Sequence, residues 1–289
     1  MKFGGIMEKY IISADSTVDI TPELIKEFDV KIAPLSVILG SDEYLDGVTL
    51  TPDDIYAYVD KTGILPRTSA INEAAFSEHF SNIRGGDTSI KVLHFTLSNE
   101  LSCSCQNARL AAANTENVQV IDCRALSTGT SLLMFKTVDM LRSGSTIDEV
   151  VKFCEENANK VQTSFVVDDL LYLYKGGRCK GLTMYAAKFA RIHPMLHIKE
   201  GFLKPDTKFM GSMKAVLTKY VKYLKENHPN PDSTRVFVTH TKMDQELIDH
   251  VKELVKEHFD FEVIYDTVAG ATITSHCGPG TLGVLFLDK

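Results

Sequence analysis

Along the first 160 residues, short β-branched runs alternate with helix-like patterns, and that alternation limits the folds open to this chain. Residues 10–13, 30–39, 91–97 and 118–121 read as strands, rich in Val, Ile, Leu and Phe. Thr21-Pro22-Glu23 and Thr51-Pro52-Asp53-Asp54 each open a helix, with Thr as N-cap, Pro in the first position and acid in the first turn. Pro66-Arg67-Thr68-Ser69 reads as a loop. Asn72 then caps a helix whose Phe76, Phe80 and Ile83 recur at i, i+4 and i+7, and Gly85-Gly86 ends it. An Ala-rich helix is expected from Gln106, a long one from about Ser127 to near Gly144, and a further one over 146–160. Strands that alternate with helices build a largely parallel sheet with helices on both faces.

The second half carries a different pattern. Residues 164–167 form a strand, followed by Asp168-Asp169 and LLYLYKGGRCKG. Residues 192–198 read as extended despite Pro194, which places them at a sheet edge. Glu200-Gly201 is a hairpin turn into 202–209. A helix over 212–226, a strand over 235–239, a helix over 245–259 and a strand over 261–268 follow, before a Gly-rich and then apolar end. Hairpin and crossover signals together imply a mixed sheet. A chain of 289 residues can fill two domains of about 140 residues. The expected division is 7–162, an α/β domain with a mostly parallel sheet, and 163–289, an α/β domain with a mixed sheet. Residues 1–8 are expected to precede the fold, with Met7 as a candidate natural start.

Several function classes are disfavoured at once. The net charge is −7 and there is no dense Lys/Arg block, which argues against nucleic acid. No apolar run is long enough for a bilayer and no signal peptide is recognised, so no stable membrane insertion is expected. Six scattered cysteines in a chain this large read as reduced thiols of a cytoplasmic protein rather than as staples. Cys103-Ser104-Cys105 lacks the spacing of about two to four residues that zinc ligands favour, and no metal or cofactor is expected.

The chemistry-bearing candidates lie in turns. In KVLHFTLSNELSCSCQNARL, residues 91–110, a buried strand runs into a Ser-rich turn and then a helix. α/β proteins hold ligands at such corners, where the first helical amides lack partners and favour an anion. Ser98 and Ser102 could donate to that anion, and both are equally good capping residues. His276, in SHCGPG, reads either as a ligand contact or as a hydrogen-bonded turn residue. Lys175-Gly176-Gly177-Arg178 puts two cations on a turn too short for a phosphate-cradling loop.

Five motifs, in this order, resemble the DegV family of bacterial fatty-acid-binding proteins: Asp15-Ser16-Thr17, Pro66-x-Thr68-Ser69, Ser98-x-x-Leu101-Ser102, Asp168-Asp169-Leu170 with Lys175-Gly176-Gly177-Arg178, and His276-x-Gly278-Pro279-Gly280. The resemblance spans residues 10–289. It implies two α/β domains around a buried long-chain fatty acid, with the carboxylate held by Thr68, Ser98 and Ser102 and with His276 beside it. It also implies that some members serve a separate ATP-dependent fatty acid kinase subunit feeding phospholipid synthesis, for which Arg178 matches a partner- or phosphate-contacting arginine. The sequence departs from the family pattern at Ala70 and Ile71, at Cys103 in place of a glycine, at Cys123, and at Met210 where kinase-linked members tend to carry a base. The last departure weakens the kinase expectation more than the lipid one.

A carrier needs an apolar sheath and a mild head-group site. Each buried methylene contributes about 0.8 kcal/mol, so a chain of about sixteen carbons gains on the order of 10 kcal/mol before ordering costs. Neutral donors then suffice for the carboxylate and leave it nucleophilic. The main rival is an acyl hydrolase with Ser98 or Ser102 as nucleophile and His276 as base. It lacks a G-x-S-x-G elbow and a residue to orient the histidine. A sugar- or nucleotide-binding domain is a third reading, with no Gly-x-Gly-x-x-Gly after the first strand to support it.

Overall fold

The computed structural model describes residues 9–179 and 192–289. The expectations for residues 1–8, including Met7 as a start, and for Lys180-Gly181 lie outside them. The first sheet has four strands, all parallel, in the spatial order Val30–Ala33, Tyr10–Asp15, Lys91–Thr96, Val118–Asp122. Both of its faces are covered. Along Lys91–Thr96, Val92 packs with Phe76, Phe80 and Ala108 of helices Glu73–Arg84 and Ser104–Ala113. The alternate residues Leu93 and Phe95 pack with Leu24, Leu133 and Val150 of helices Pro22–Phe28, Thr128–Arg142 and Ile147–Asn157. Burial on two faces is why the strand reads as a continuous apolar run.

The second sheet is mixed. Its order is Phe202–Met210, Ile192–Lys199, Ser164–Val166, Leu282–Leu287, Arg235–His240, Val263–Val268, and only the last pair is parallel. Val166, Val236, Val284 and Phe286 face helices Met213–Asn227 and Gln245–His258. Phe237, Leu285 and Leu287 face the other way, into the same core as Leu93 and Phe95. Helix Thr128–Arg142 is buried along most of its length because it lies between the two sheets. The fold is the α/β architecture expected, with one core running through both halves.

Three local expectations change. The strand read over 30–39 is two strands in different sheets, because Pro34 interrupts the ladder after Ala33. Its second part, Ser36–Leu39, forms a small antiparallel sheet with Asp42–Leu45 and Arg67–Ser69, so the loop read at Pro66–Ser69 contains a strand. Pro194 is not on an edge. Its strand lies inside the mixed sheet, and the proline sits at a register shift just before pairing with Ser164–Val166 begins at Met195. Val161 and Gln162, at the end of the first expected domain, pair with Leu287 and Phe286 of the second sheet. The hairpin turn is as read: Glu200 and Gly201 both have positive φ between the paired Lys199 and Phe202.

Candidate functional site

A cavity of about 320 Å³ opens beyond the carboxyl end of strand Lys91–Thr96. In the first sheet, strand order reverses between Tyr10–Asp15 and Lys91–Thr96, the place where open α/β sheets leave a crevice. Leu97, Leu126, Phe165, Leu173 and Ile273 give the cavity apolar walls, and Thr68, Ser102, Arg178 and His276 are polar lining residues.

Thr68 comes from the small sheet, paired opposite Val37. His276 comes from a helix, Ala271–Cys277, where the Gly-flanked run suggested a turn. Every residue of that helix except Ile273 and His276 is buried, so it has no amphipathic stripe to read in the sequence. Two buried aspartates hold its start. Asp46 accepts hydrogen bonds from the Ala271 and Thr272 amides at 2.8 and 3.2 Å and from the Ser16 hydroxyl at 2.9 Å. Asp19 accepts from the Gly270 amide at 2.8 Å and from the Ser127 hydroxyl. Burial, with neighbouring carboxylates adding to it, raises the Asp19 pKa well above the usual carboxylate value. These tethers went unread because Asp46-Gly47 after a short strand looks like a surface turn.

The fold brings Thr68 and His276 together across 208 residues, with Thr68 Oγ1 2.8 Å from His276 Nε2. His276 Nδ1 is buried without a hydrogen-bond partner among the described residues. Burial, with the Arg178 cation nearby, lowers the His276 pKa to about 4, so the ring is neutral at pH 7. The glycines of two sequence motifs exist to allow this packing. A Cβ on Gly176 would come within 2.5 Å of His276 Nδ1, and one on Gly278 within 2.5 Å of the Tyr172 ring. Lys175-Gly176-Gly177-Arg178 and His276-x-Gly278-Pro279-Gly280 are thus two faces of one contact.

Ser102 lines the cavity, and its Oγ also accepts from the Ser104 amide at 3.2 Å and lies 3.0 Å from Ser104 Oγ, at the start of helix Ser104–Ala113. The N-cap position itself is Cys103, which makes no side-chain cap, so Ser102 is a cavity residue that also accepts from the first helical amide. Ser98 is placed differently: it is buried, is not among the lining residues, and donates to the Gly201 carbonyl at 2.7 Å while accepting from the Glu100 amide. Its hydroxyl ties the Glu200-Gly201 hairpin to the Ser-rich turn. Arg178 is exposed and lines the cavity, with Nη1 donating to the Gly176 carbonyl at 2.7 Å.

The departures from the family pattern separate spatially. Ala70 and Cys103 line the cavity, Ile71 is in the core with Phe76 and Phe80, and Met210 is exposed at the end of the outer strand of the mixed sheet. Cys123 is buried in the core shared by the two sheets. Cys103 is exposed while Cys105 is buried. No three His, Cys, Asp or Glu side chains group as metal ligands among the described residues.

The arrangement offers neutral hydroxyls and an imidazole on the wall of a largely apolar cavity, which Glu100 and the exposed Arg178 also line. It does not make the nucleophile–base pair a hydrolase needs. His276 Nε2 lies against Thr68, Ser98 donates its hydroxyl to the Gly201 carbonyl, and the Ser102 hydroxyl lies against Ser104 and not against His276.

The family profile described as "Uncharacterised protein, DegV family" matches residues 9–289. A "Fatty acid-binding protein" of Thermotoga maritima is 30% identical, the match covering 95% of this chain and 96% of the relative. The solved structure called "Fatty Acid Binding of a DegV family Protein from Thermus thermophilus" superposes with a TM-score of 0.87 at 25% identity, covering 97% of this chain and all of the other. A stearic acid-binding protein from Eubacterium ventriosum matches with a TM-score of 0.82 at 26% identity, covering 97% and 98% of the two chains. By sequence over its described length and by fold, this chain belongs to the DegV family.

Proposed function

We propose that this protein binds one long-chain fatty acid, such as palmitate or oleate, with the tail among Leu97, Leu126, Phe165 and Ile273 and the carboxylate at Thr68, Ser102 and His276. The observation that carries this is the Thr68–His276 pair on the wall of a largely apolar cavity, in a chain whose relatives are described as fatty-acid-binding. Ser98 drops out of the head-group set because its hydroxyl is committed to the hairpin. The carboxylate meets groups that donate without neutralising it. The protein hides the tail and presents the head, acting as a carrier and not a catalyst, with no cofactor of its own.

Native mass spectrometry of the protein as purified, before and after delipidation, is the direct test. A fatty acid mass on each chain and micromolar or tighter rebinding is the expected result. Rebinding of neither palmitate nor oleate would end the carrier reading. Thr68→Ala removes a hydrogen bond to a charged group, worth roughly 1.5–3 kcal/mol, and lowers affinity about ten- to a hundredfold.

The presented carboxylate is a substrate for an ATP-dependent fatty acid kinase subunit that feeds phospholipid synthesis. Exposed Arg178 on the cavity rim supports this, because its fork suits a transferring phosphate or an acidic partner loop. Arg178→Ala is expected to keep fatty acid affinity and to lower acyl phosphate formation at least tenfold with the kinase subunit of the same organism, about 1.4 kcal/mol. A wild-type rate in the variant removes Arg178 from the reaction. No phosphorylation of wild-type protein removes the kinase and leaves a lipid carrier or sensor. No helix among the described residues is long and apolar enough to cross a membrane. The scattered thiols of Cys105, Cys123, Cys154 and Cys277, all buried and without disulfides, fit a cytoplasmic setting.

A further inference from the structure

Behind the main cavity lies a second void of about 20 Å³, lined in part by Thr239, Thr241 and Gly283. Leu126, Phe165, Ile273 and Cys277 border both spaces, whereas Thr68, Ser102, Arg178 and His276 border only the first. These four residues are therefore the partition shared by the cavity and the void. The void holds about one water and no stretch of acyl chain. Phe165 is the largest of the four and is 4% exposed. It stands opposite Gly283 in the antiparallel ladder, where a Cβ on the glycine would come within 3.2 Å of Phe165 Cβ. The residue directly opposite has no side chain to take over the volume of the ring if it is removed.

We infer that Phe165 is a specificity-determining residue: its ring closes the tail end of the cavity and sets the longest acyl chain the protein accepts. This rests on the fatty acid reading above, with the carboxylate at Thr68, Ser102 and His276. In the wild type each added carbon gains apolar contact until the terminal methyl meets the ring. Beyond that length a longer chain must displace the partition or fold back on itself. Truncating Phe165 joins the cavity to the void and lets the chain advance.

Binding of saturated fatty acids from twelve to twenty carbons, measured by calorimetry on delipidated wild-type protein and on Phe165→Ala, tests the inference. In the wild type, affinity should rise about fourfold per carbon, equivalent to ~0.8 kcal/mol, and then stop rising at a ceiling. In Phe165→Ala the rise should continue for two further carbons, so that the acid two carbons past the wild-type ceiling binds about fifteenfold tighter than to wild type. Phe165→Leu and Ile273→Ala, milder changes to the same wall, should move the ceiling by a smaller step in the same direction, and they carry the test if the Ala variant does not fold. The same ceiling in every folded variant, with shorter acids still bound, would overturn the role of Phe165. A wild type that binds none of the acids would instead refute the fatty acid reading itself.

Discussion

Asp46→Ala should release the helix that delivers His276. The buried carboxylate, 3% exposed, accepts from the Ala271 and Thr272 amides and from the Ser16 hydroxyl. Alanine leaves two buried backbone donors unsatisfied at about 1–3 kcal/mol each, so the loss should fall between about 2 and 6 kcal/mol. An offset comes from charge, because Asp46 lies close enough to Asp15 and Asp19 to push both of their pKa values upward. Asp46→Asn removes that repulsion and keeps one acceptor, so it should cost less than Ala. Denaturant unfolding gives the stability, and hydrogen exchange at Ala271 and Thr272 says whether the loss is local. Fatty acid affinity should fall in step, because Thr272, Ile273 and His276 all line the cavity from this helix. A loss below 1 kcal/mol with unchanged exchange at the two amides would mean that Asp46 does not hold the helix.

Other predictions follow from single contacts. Gly176→Ala puts a methyl within 2.5 Å of His276 Nδ1 and should weaken fatty acid binding by separating His276 from Thr68. Gly177→Ala, with open space but φ of +68°, should cost about 1–2 kcal/mol of stability and leave binding intact. Ser98→Ala should cost stability, about 1–3 kcal/mol from the unpaired Gly201 carbonyl, with fatty acid affinity within twofold of wild type. A calorimetric loss of tenfold or more would return Ser98 to the head-group site. Burial lowers the pKa values of His79 and His276 to about 4, below the ordinary 6.5, so their neutral forms stabilise the fold above pH 6.5 and that stability is lost as pH falls from 6.5 towards 4. Burial raises Asp15 to about 6, which has the opposite sign: stability falls as pH rises from about 4 to 6. Unfolding free energy across pH 4–7 should therefore decline less on acidification in His79→Gln than in wild type, and decline more in Asp15→Asn.

The sequence by itself determined what depends on neighbours along the chain. Thr21 and Asn72 cap helices where the pattern put them, and helices begin next to Thr146 and Ser212 as expected, because an N-cap bonds an amide only three residues ahead. Glu200-Gly201 turns where positive φ is tolerated, and the alternation of apolar runs with helices produced the parallel sheet. Tertiary structure decided the rest. Whether Pro194 sat on an edge depended on a strand, Ser164–Val166, about thirty residues away. Ser98 and Ser102 look alike as hydroxyls in one polar turn, and only the hairpin arriving at Gly201 separates a tether from a cavity wall. His276 needed Asp19 and Asp46 to fix its helix, Gly176 to admit its ring, and Thr68, 208 residues away, to pair with it. Local periodicity records which face of a segment is buried. It carries no record of which distant segment that face will meet, because side-chain direction at a site is fixed by packing between elements and not by the run of residues within one.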